Sequence, residues 1–291
     1  MEKTKVDEYF FRSEFEEEGF EIMKLSTFFQ HRSSSARKEA HIIRFYAIIF
    51  ITGGEGSHLI DFENYKCKKG TMLFIGKDQL HAWSNSKDLT GYIILFNESF
   101  LYDNQIKFKD LSFSYPYNSS IYKPVLHLEN EEYYQAFQAL VNYLFQEYNL
   151  PKLPTRMEIL QCLLRAFLLK IQSHPLEELN KYPADAKEIF IKFQRLLNEK
   201  IALTRNANDY CDFLSVTYRK LNNACRTLTN KTVKQFIDDF LILKAKRSLL
   251  DSGNNVNETA YSLGFDEVTN FTKYFKKHTG ISPKAFSKIE K

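Results

Sequence analysis

Residues 260–286 read AYSLGFDEVTNFTKYFKKHTGISPKAF, and this stretch decides the fold of the C-terminal part of the chain. Its apolar residues recur at intervals of three and four, which predicts helices. Gly264 can adopt a positive φ and interrupts the pattern with a tight turn. Gly280 is suited to ending the second helix, and Ser282 with Pro283 to starting a third. We therefore predict a helix, a tight turn and two further helices.

The same pattern occurs once more, about fifty residues earlier. The spacings agree between the two copies, except for one extra residue in the second turn. A duplicated spacing of this length indicates a duplicated supersecondary unit. The matching apolar positions are Cys211, Leu214, Val216, Leu221, Cys225 and Phe236 in the first copy, and Ala260, Leu263, Phe265, Phe271, Phe275 and Phe286 in the second.

Each copy has the features of a helix-turn-helix unit. A small residue lets two helices approach, and a short turn leads to a residue that can cap the second helix. That helix ends at Asn or Gly, which tolerate the left-handed conformation. In order, these positions are Cys211, Ser215, Val216, Thr217 and Asn230 in the first copy, and Ala260, Gly264, Phe265, Asp266 and Gly280 in the second, with Thr232 and Ser282 placed to cap the following helices.

The polar faces of the two second helices predict a DNA interface. Arg and Asn can form paired hydrogen bonds with guanine and adenine, Thr and Val can contact thymine methyl groups, and lysines suit phosphates. An ordinary solvated basic helix face is the alternative, and the repeat in register favours DNA binding. The predicted residues are Arg219, Lys220, Asn222 and Asn223, then Val268, Thr269, Asn270, Thr272 and Lys273, with Lys276 and Lys277 on phosphates.

The runs 260–265, 270–277 and 279–286 resemble the C-terminal signature of AraC-type (AraC/XylS) transcription regulators. The resemblance covers roughly the last hundred residues. It implies two helix-turn-helix subdomains, joined by a long helix near 233–250, that insert recognition helices into successive major grooves of promoter DNA. The first copy departs from the family pattern, with Asn230 in place of Gly and Cys225 in place of Phe.

Charge is divided unevenly along the 291 residues. Residues 186–291 contain 19 Lys and Arg against 11 Asp and Glu, a charge of +8, whereas the rest of the chain carries −4. A basic domain suits a polyanion such as DNA. The N-terminus has no apolar signal core and no apolar run is long enough for a membrane span, so we expect a cytoplasmic protein without membrane partners.

The N-terminal part predicts a β-rich domain. Short apolar runs between residues 41 and 96 are separated by turn residues, including Glu63-Asn64, which is typical of a sandwich or small barrel. AraC-type regulators often carry a cupin-like barrel here, and Gly70, Gly76 and His81 resemble the second cupin motif. The fold class expected is thus α+β: a cupin-like β-barrel, two linker helices, and an all-α domain with two helix-turn-helix units.

The barrel is expected to bind a small-molecule effector. Tyr46, His58, His81 and Trp83 would combine apolar walls with a few polar groups. His41, His58 and His81 could also converge as metal ligands, or be ordinary hydrogen-bonded histidines. The His-x-His pair of a cupin metal site is missing, and the four cysteines are too scattered for zinc or disulfide motifs, so we expect no metal and no cofactor.

Two helices between the domains are expected to form a homodimer interface. Helical spacing predicts helices at 131–149 and about 155–173, and charges at Leu164 and Leu168 would then produce folded monomers. The predicted domains are a sensor at 1–127, a dimerisation segment at 128–174, a linker at 175–185 and a DNA-binding domain at 186–291.

The expected function is a sequence-specific transcription regulator, not an enzyme, with RNA polymerase as a further partner. One rival is a cupin-type metal-dependent enzyme with a DNA-binding appendage. Another is a regulator without an effector, in which the barrel is purely structural. The missing His-x-His pair argues against the first rival, and ligand-induced stabilisation would exclude the second.

Overall fold

A computed structural model describes residues 18–31, 37–85, 88–101, 115–173, 182–251 and 254–289. The chain divides into two compact units, which part between residues 174 and 175. The strands described are β1 (Phe20–Lys24), β2 (His41–Ile42), β3 (Tyr46–Gly53), β4 (Gly56–Ile60), β5 (Glu63–Cys67), β6 (Thr71–Ile75), β7 (Leu80–Asn85), β8 (Thr90–Phe96) and β9 (Val125–His127).

The first unit also contains helices, and the described elements of the second unit are all helices. In the first unit they are α1 (Leu25–His31), α2 (Glu98–Leu101), α3 (Glu131–Asn149) and α4 (Arg156–Ser173). In the second unit they are α5 (Ala184–Lys200), α6 (Ala207–Leu214), α7 (Tyr218–Thr229), α8 (Val233–Leu250), α9 (Val256–Ser262), α10 (Val268–Thr279) and α11 (Pro283–Ile289). The predicted α+β fold class is confirmed: a cupin-like β-rich domain, whose described strands form two sheets rather than one closed barrel, two helices, and a helical domain with two helix-turn-helix units.

The strands of the first unit form two antiparallel sheets. One sheet has the order β1-β8-β3-β6-β9 and the other the order β2-β7-β4-β5. Side chains alternate between the two faces of a strand, so Ala47, Ile49 and Ile51 of β3 face the core between the sheets. The intervening residues face the other way, and Phe50 there lies 5.7 Å from the ring of Tyr134 on α3. β3 is therefore buried on both faces.

The hairpin between β4 and β5 turns two residues earlier than predicted. Glu63 and Asn64 belong to β5, and the turn is formed by Asp61 and Phe62, whose φ angles are 47° and 72°. The Asp61 carboxylate accepts hydrogen bonds from the Gln79 side chain at 2.7 Å and from the backbone N–H of Leu80 at 3.2 Å. These contacts with a distant segment place the turn, and Phe62 gives no local turn signal.

The helices predicted at 131–149 and near 155–173 are confirmed as α3 and α4. Leu164 and Leu168, however, are 0% and 1% exposed, and Phe137 of α3 meets Phe167 of α4 at 5.3 Å. The stripe chosen as a dimer surface is thus the contact between α4 and its own domain. The prediction that charges at these two leucines would leave a folded monomer is wrong, because a charge there would lie in the core.

The second unit is organised around α8. Thr232 and Gln235 form a reciprocal capping box at its start, as predicted for Thr232. Phe236 lies 5.0 Å from Phe190 of α5, whereas near the other end the Ser248 hydroxyl lies 2.9 Å from that of Thr259 on α9. α8 also packs against α6 and α7 of the first copy and against α9 and α10 of the second.

Some segments to which the predictions apply lie outside the described residues. They include the first eight residues, which showed no signal core, and most of the predicted linker at 175–185. In the described ranges, no helix combines the length and apolar character needed to cross a membrane.

Two glycines with positive φ offer a matched test of this packing. Gly264 has φ 75°, and a Cβ there would overlap the carbonyl oxygen of Ala202. Gly280 has φ 81°, and a Cβ there would meet nothing within 4 Å. We expect Gly280→Ala to cost about 1 to 2 kcal/mol, the left-handed strain alone, and Gly264→Ala about 3 to 5 kcal/mol.

The free energy of unfolding would be measured in urea by far-UV circular dichroism of the full chain. Equal losses for the two variants would show that the segment around Ala202 does not press on the second turn.

Candidate DNA interface and effector site

The first helix-turn-helix unit consists of α6 and α7. The backbone N–H of Val216 donates to the carbonyl of Cys211 at 3.0 Å, and Ser215 takes the left-handed conformation with φ 53°. Thr217 caps α7 by accepting a hydrogen bond from the Lys220 N–H at 3.2 Å, as predicted. Asn230 ends α7 in the left-handed conformation, also as predicted.

The second unit, α9 and α10, repeats this turn bond for bond. The N–H of Phe265 donates to Ala260 at 3.0 Å, five residues back, as Val216 does to Cys211. The N–H of Gly264 donates to Tyr261 at 3.0 Å, which matches the bond from Ser215 to Asp212 at 3.1 Å. The repeated spacing in the sequence thus corresponds to a repeated backbone geometry.

The extra residue of the second copy changes its cap. The N-cap of α10 is Glu267, without a capping side-chain hydrogen bond, so the prediction of Asp266 is wrong. One more residue in the turn moves the helix start beyond Asp266. Glu267 instead accepts a hydrogen bond from the Thr269 hydroxyl at 3.0 Å.

Both second helices bury one face and expose a polar one. Leu221 and Phe271 are 0% exposed, as predicted for the inner faces. Most of the predicted DNA-contacting side chains lie on the opposite, exposed side. Exposed are Arg219, Lys220, Asn223, Thr269, Asn270, Lys273, Lys276 and Lys277, whereas Asn222, Val268 and Thr272 are half-buried.

Asn222 has an intramolecular role that the sequence pattern did not indicate. Its side-chain oxygen accepts a hydrogen bond from the N–H of Val233 at 3.2 Å. The first N–H groups of a helix have no partner within the helix, so Asn222 satisfies one of them at the start of α8. Asn222 therefore ties α7 to the next helix.

In the N-terminal compact unit, three histidines lie together between the two sheets. In the strand register, His41 pairs with His81 and His58 pairs with Trp83. The His58 Nε2 lies 3.2 Å from the His81 Nδ1, and the ring centroids of His41 and His81 are 4.3 Å apart. Trp83 packs edge-on against His58 at 4.4 Å. The cluster lines the apolar core with imidazole groups.

Tyr46 does not belong to this cluster. It is adjacent to Ala47, which faces the core between the sheets, so the side chain of Tyr46 lies on the opposite face of β3. There its hydroxyl donates to Glu98 at 3.1 Å, and its ring contacts Tyr117 at 5.0 Å. The sequence expectation of one pocket lined by Tyr46 together with His58, His81 and Trp83 is corrected accordingly.

His58 is electrically neutral at physiological pH. Burial, with a smaller repulsion from His41, lowers the pKa of His58 from 6.5 to about 3. Its Nδ1 has no hydrogen-bond partner among the described residues. Among these residues, no group of three or more His, Cys, Asp or Glu is arranged to hold a metal ion. The cluster therefore includes a neutral hydrogen-bonding group, His58, in apolar surroundings, as small-molecule sites do.

Comparison with known families identifies both halves of the chain. Residues 210–289 match a helix-turn-helix domain, and residues 25–179, more than half of the chain, match the AraC-like ligand binding domain. The chain belongs to the AraC family of transcription regulators. It is a DNA-binding regulator with the family's ligand-binding type of N-terminal domain, as the sequence resemblance implied.

Relatives of this AraC-family protein match over most of its length. The HTH-type transcriptional activator RhaS of Mannheimia succiniciproducens is 23% identical over 246 residues, which cover 84% of this chain and 87% of the relative. RhaS of Escherichia coli O9:H4 (strain HS) is 22% identical over 248 residues, covering 82% and 84%. A structure of ToxT from Vibrio cholerae shares 16% identity, covers 92% of this chain and 97% of its own, and has a TM-score of 0.47.

The low pKa of His58 predicts loss of stability in acid. The unfolded chain binds a proton on His58 as the pH falls through 6.5, whereas the folded protein does so only near pH 3. The stability that neutral His58 permits is therefore complete above pH 6.5 and lost progressively below it. From about pH 7.5 to about pH 5 we expect this group alone to remove about 2 kcal/mol.

Trp83, the only tryptophan in the chain, touches His58 and reports unfolding of this unit. Urea titrations followed by its fluorescence would be compared at both pH values. His58→Gln should lose about 2 kcal/mol less than the wild type on acidification, whereas His278→Gln, at an exposed histidine of α10, should behave as the wild type. An equal loss in His58→Gln and the wild type would contradict the assignment.

Proposed function

We propose that this AraC-family protein is a cytoplasmic, homodimeric transcription activator that reads promoter DNA with α7 and α10 in successive major grooves. A small-molecule effector bound beside the histidine cluster would control it, with RNA polymerase as a further partner. The domain limits proposed are a sensor at 1–127, a dimerisation segment at 128–174, a linker at 175–185 and a DNA-binding domain at 186–291. No step of this function requires catalysis.

The repeated geometry of the two units is the observation that carries the DNA-reading proposal. Two turns with the same hydrogen bonds present two helices, each with a buried inner face and an exposed polar face. Arg219 and Asn223 of α7 are proposed to read bases in one groove, and Asn270 and Lys273 of α10 in the next. We leave Asn222 out, because its side-chain oxygen is engaged by Val233.

Lysines at the end of α10 are proposed to bind phosphates. Lys276 and Lys277 occupy its last turn, are exposed, and lie about two helical turns beyond Asn270 and one turn beyond Lys273. Phosphate contacts position a protein on DNA without reading sequence. Together with the +8 charge of residues 186–291, they predict affinity that falls steeply with salt.

We propose the effector site at His58, His81 and Trp83, and include His41 because its ring centroid lies 4.3 Å from that of His81. The support is a buried imidazole whose Nδ1 has no partner among the described residues, inside an otherwise apolar core. An unsatisfied buried polar atom costs about 1 to 3 kcal/mol, so a ligand that bonds to it gains affinity. The relative RhaS is named a transcriptional activator, and this supports an activating role for the present chain.

The homodimer is proposed to use the outer face of α4. Its inner stripe is buried within the chain, but a second apolar stripe at helical spacing remains on the other side. Leu169 there is 46% exposed, and Cys162 and Ala166 are exposed as well. The stripe consists of Ile159, Cys162, Leu163, Ala166 and Leu169. A symmetric pair of such helices would cover it.

Two substitutions in α10 distinguish base reading from phosphate binding. Asn270→Ala should cost about 1 to 3 kcal/mol on the preferred site and relax preference at one base position, leaving non-specific binding largely intact. Lys276→Ala should weaken binding to all sequences alike, because it removes a phosphate contact. Selection from randomised DNA, followed by affinity measurement at two salt concentrations, distinguishes these effects. If Asn270→Ala selects the wild-type motif with undiminished preference at every position, α10 does not read bases as proposed.

Leu169→Glu tests the dimer. The wild type should be a dimer at micromolar concentration and Leu169→Glu a monomer with an unchanged far-UV circular dichroism spectrum, because the exposed position tolerates a charge. Leu203→Glu, at a leucine 80% exposed in the other unit, is the matched control and should remain dimeric. Sedimentation velocity gives the masses. A monomeric wild type, or a dimeric Leu169→Glu variant, would rule out this interface.

A further inference from the structure

We propose that Arg205 is a positioning residue that fixes the orientation of the two helix-turn-helix units relative to each other, and so sets the spacing of the two base sequences they read. The inference rests on the proposed reading of two successive grooves. Arg205 lies between α5 and α6, just before the first copy of the repeat, and contacts the turn of the second copy.

The Arg205 side chain binds the second turn in two ways. Its Nη2 donates hydrogen bonds to the carbonyl oxygens of Leu263 at 3.0 Å and Gly264 at 2.6 Å. Its guanidinium carbon lies 3.6 Å from the centroid of the Phe265 ring, a cation–π contact. The residues contacted are three consecutive residues of the second turn. Arg205 thus holds the turn by both its backbone and its aromatic side chain.

The backbone around Arg205 also meets this turn directly. A Cβ at Gly264 would overlap the carbonyl oxygen of Ala202, so only glycine allows this approach. The same segment is bonded to α6, because the Tyr210 hydroxyl donates to the carbonyl of Thr204 at 2.8 Å, and the Thr204 hydroxyl donates to the carboxylate of Asp209. Arg205 therefore projects from a base that is fixed to the first unit.

On the other side, the contact continues into the second recognition helix. Phe265 packs against Phe271 at 5.3 Å and Tyr274 at 5.6 Å, both on α10. The Tyr274 hydroxyl donates to Asp238 on α8 at 2.8 Å. Arg205 is thus connected through one ring to the helix proposed to read the second groove, and it is half-buried in these contacts.

Arginine is suited to this place for chemical reasons. A planar guanidinium can stack on a ring and donate in its own plane at the same time, whereas a lysine ammonium is a point donor without a flat face. Arg205→Lys keeps the charge, and with it the long-range attraction to DNA, while removing this geometry. The substitution therefore separates a positioning role from an electrostatic one.

The orientation matters because of the geometry of DNA. Successive major grooves on one face of the duplex are one helical turn, about 34 Å, apart. If the second unit rotates relative to the first, its recognition helix reaches a groove at a different distance. A fixed orientation selects one spacing between the two base sequences, whereas a loose one accepts several.

The test is a selection from randomised DNA with full-length wild type, Arg205→Lys, and Arg165→Lys as a control at a half-buried arginine of the other unit. The wild type and the control should select two base sequences at one spacing. Arg205→Lys should select the same two sequences at several spacings. It should bind the wild-type operator about tenfold more weakly, as expected for one lost hydrogen bond to a charged donor. Its salt dependence should be unchanged.

The outcomes separate the two proposals. If Arg205→Lys selects the wild-type spacing alone, with unchanged affinity, the positioning role is overturned while two-groove reading stands. If Arg205→Lys loses both base sequences together with helical circular dichroism, Arg205 serves folding only, and the inference is also overturned. If the wild type itself selects a single base sequence, two-groove reading fails instead.

Discussion

The two helix-turn-helix units pack against the same helix, α8. The fold of the whole C-terminal domain depends on this shared packing. α8 buries side chains on several sides, among them Val233, Phe236, Leu241 and Leu249. Phe236 meets α5, and the far end of the helix is bonded to α9. Separating the two helix-turn-helix units would expose the large apolar side chains of α8 to water. Burial of each such side chain contributes about 1.5 to 3 kcal/mol to the free energy of unfolding. Neither unit therefore has a complete core of its own.

Burial of one face of each second helix also determines which faces of α7 and α10 remain exposed. The inner residues Leu221 and Phe271 are used up in the core, so the polar residues on the opposite faces are the ones presented outward. In the N-terminal unit, the reverse arrangement holds, because a few imidazoles are drawn into an apolar core. The neutral state of His58 follows from the cost of burying a charge and keeps this cluster compatible with its surroundings. The C-terminal unit thus presents charged side chains outward, while the N-terminal unit encloses the neutral imidazole of His58.

Much of the C-terminal unit could be predicted because its signals are local. Thr217, Thr232 and Gly280 act within their own turn or helix end, and the repeat in the sequence is a repeat of backbone hydrogen bonds. The wrong predictions concern segments whose conformation or burial depends on contacts with residues distant in the sequence. The turn at Asp61 is placed by Gln79, and Leu164 is buried within its own domain, where α4 packs against α3.

The residues of the candidate sites also fall into two groups, those that local spacing predicts and those that distant contacts place. The polar faces of α7 and α10 could be predicted from helical spacing, but the roles of Asn222 and Arg205 depend on partners 11 and 58 residues away. Convergence of the three histidines was one of the alternatives, and only the strand register decides it. The register also shows that Tyr46 does not face the histidine cluster, since a shift of one residue along a strand reverses the face of the sheet.

Hydroxyl-radical footprinting on an operator obtained by selection tests the central claim, two-groove reading by a duplicated unit, most directly. Two-groove reading predicts, for each protein subunit, two protected segments on one face of the DNA, separated by about one helical turn, 10 to 10.5 base pairs. A single protected segment for each subunit, with free cleavage one turn away on either side, would contradict it.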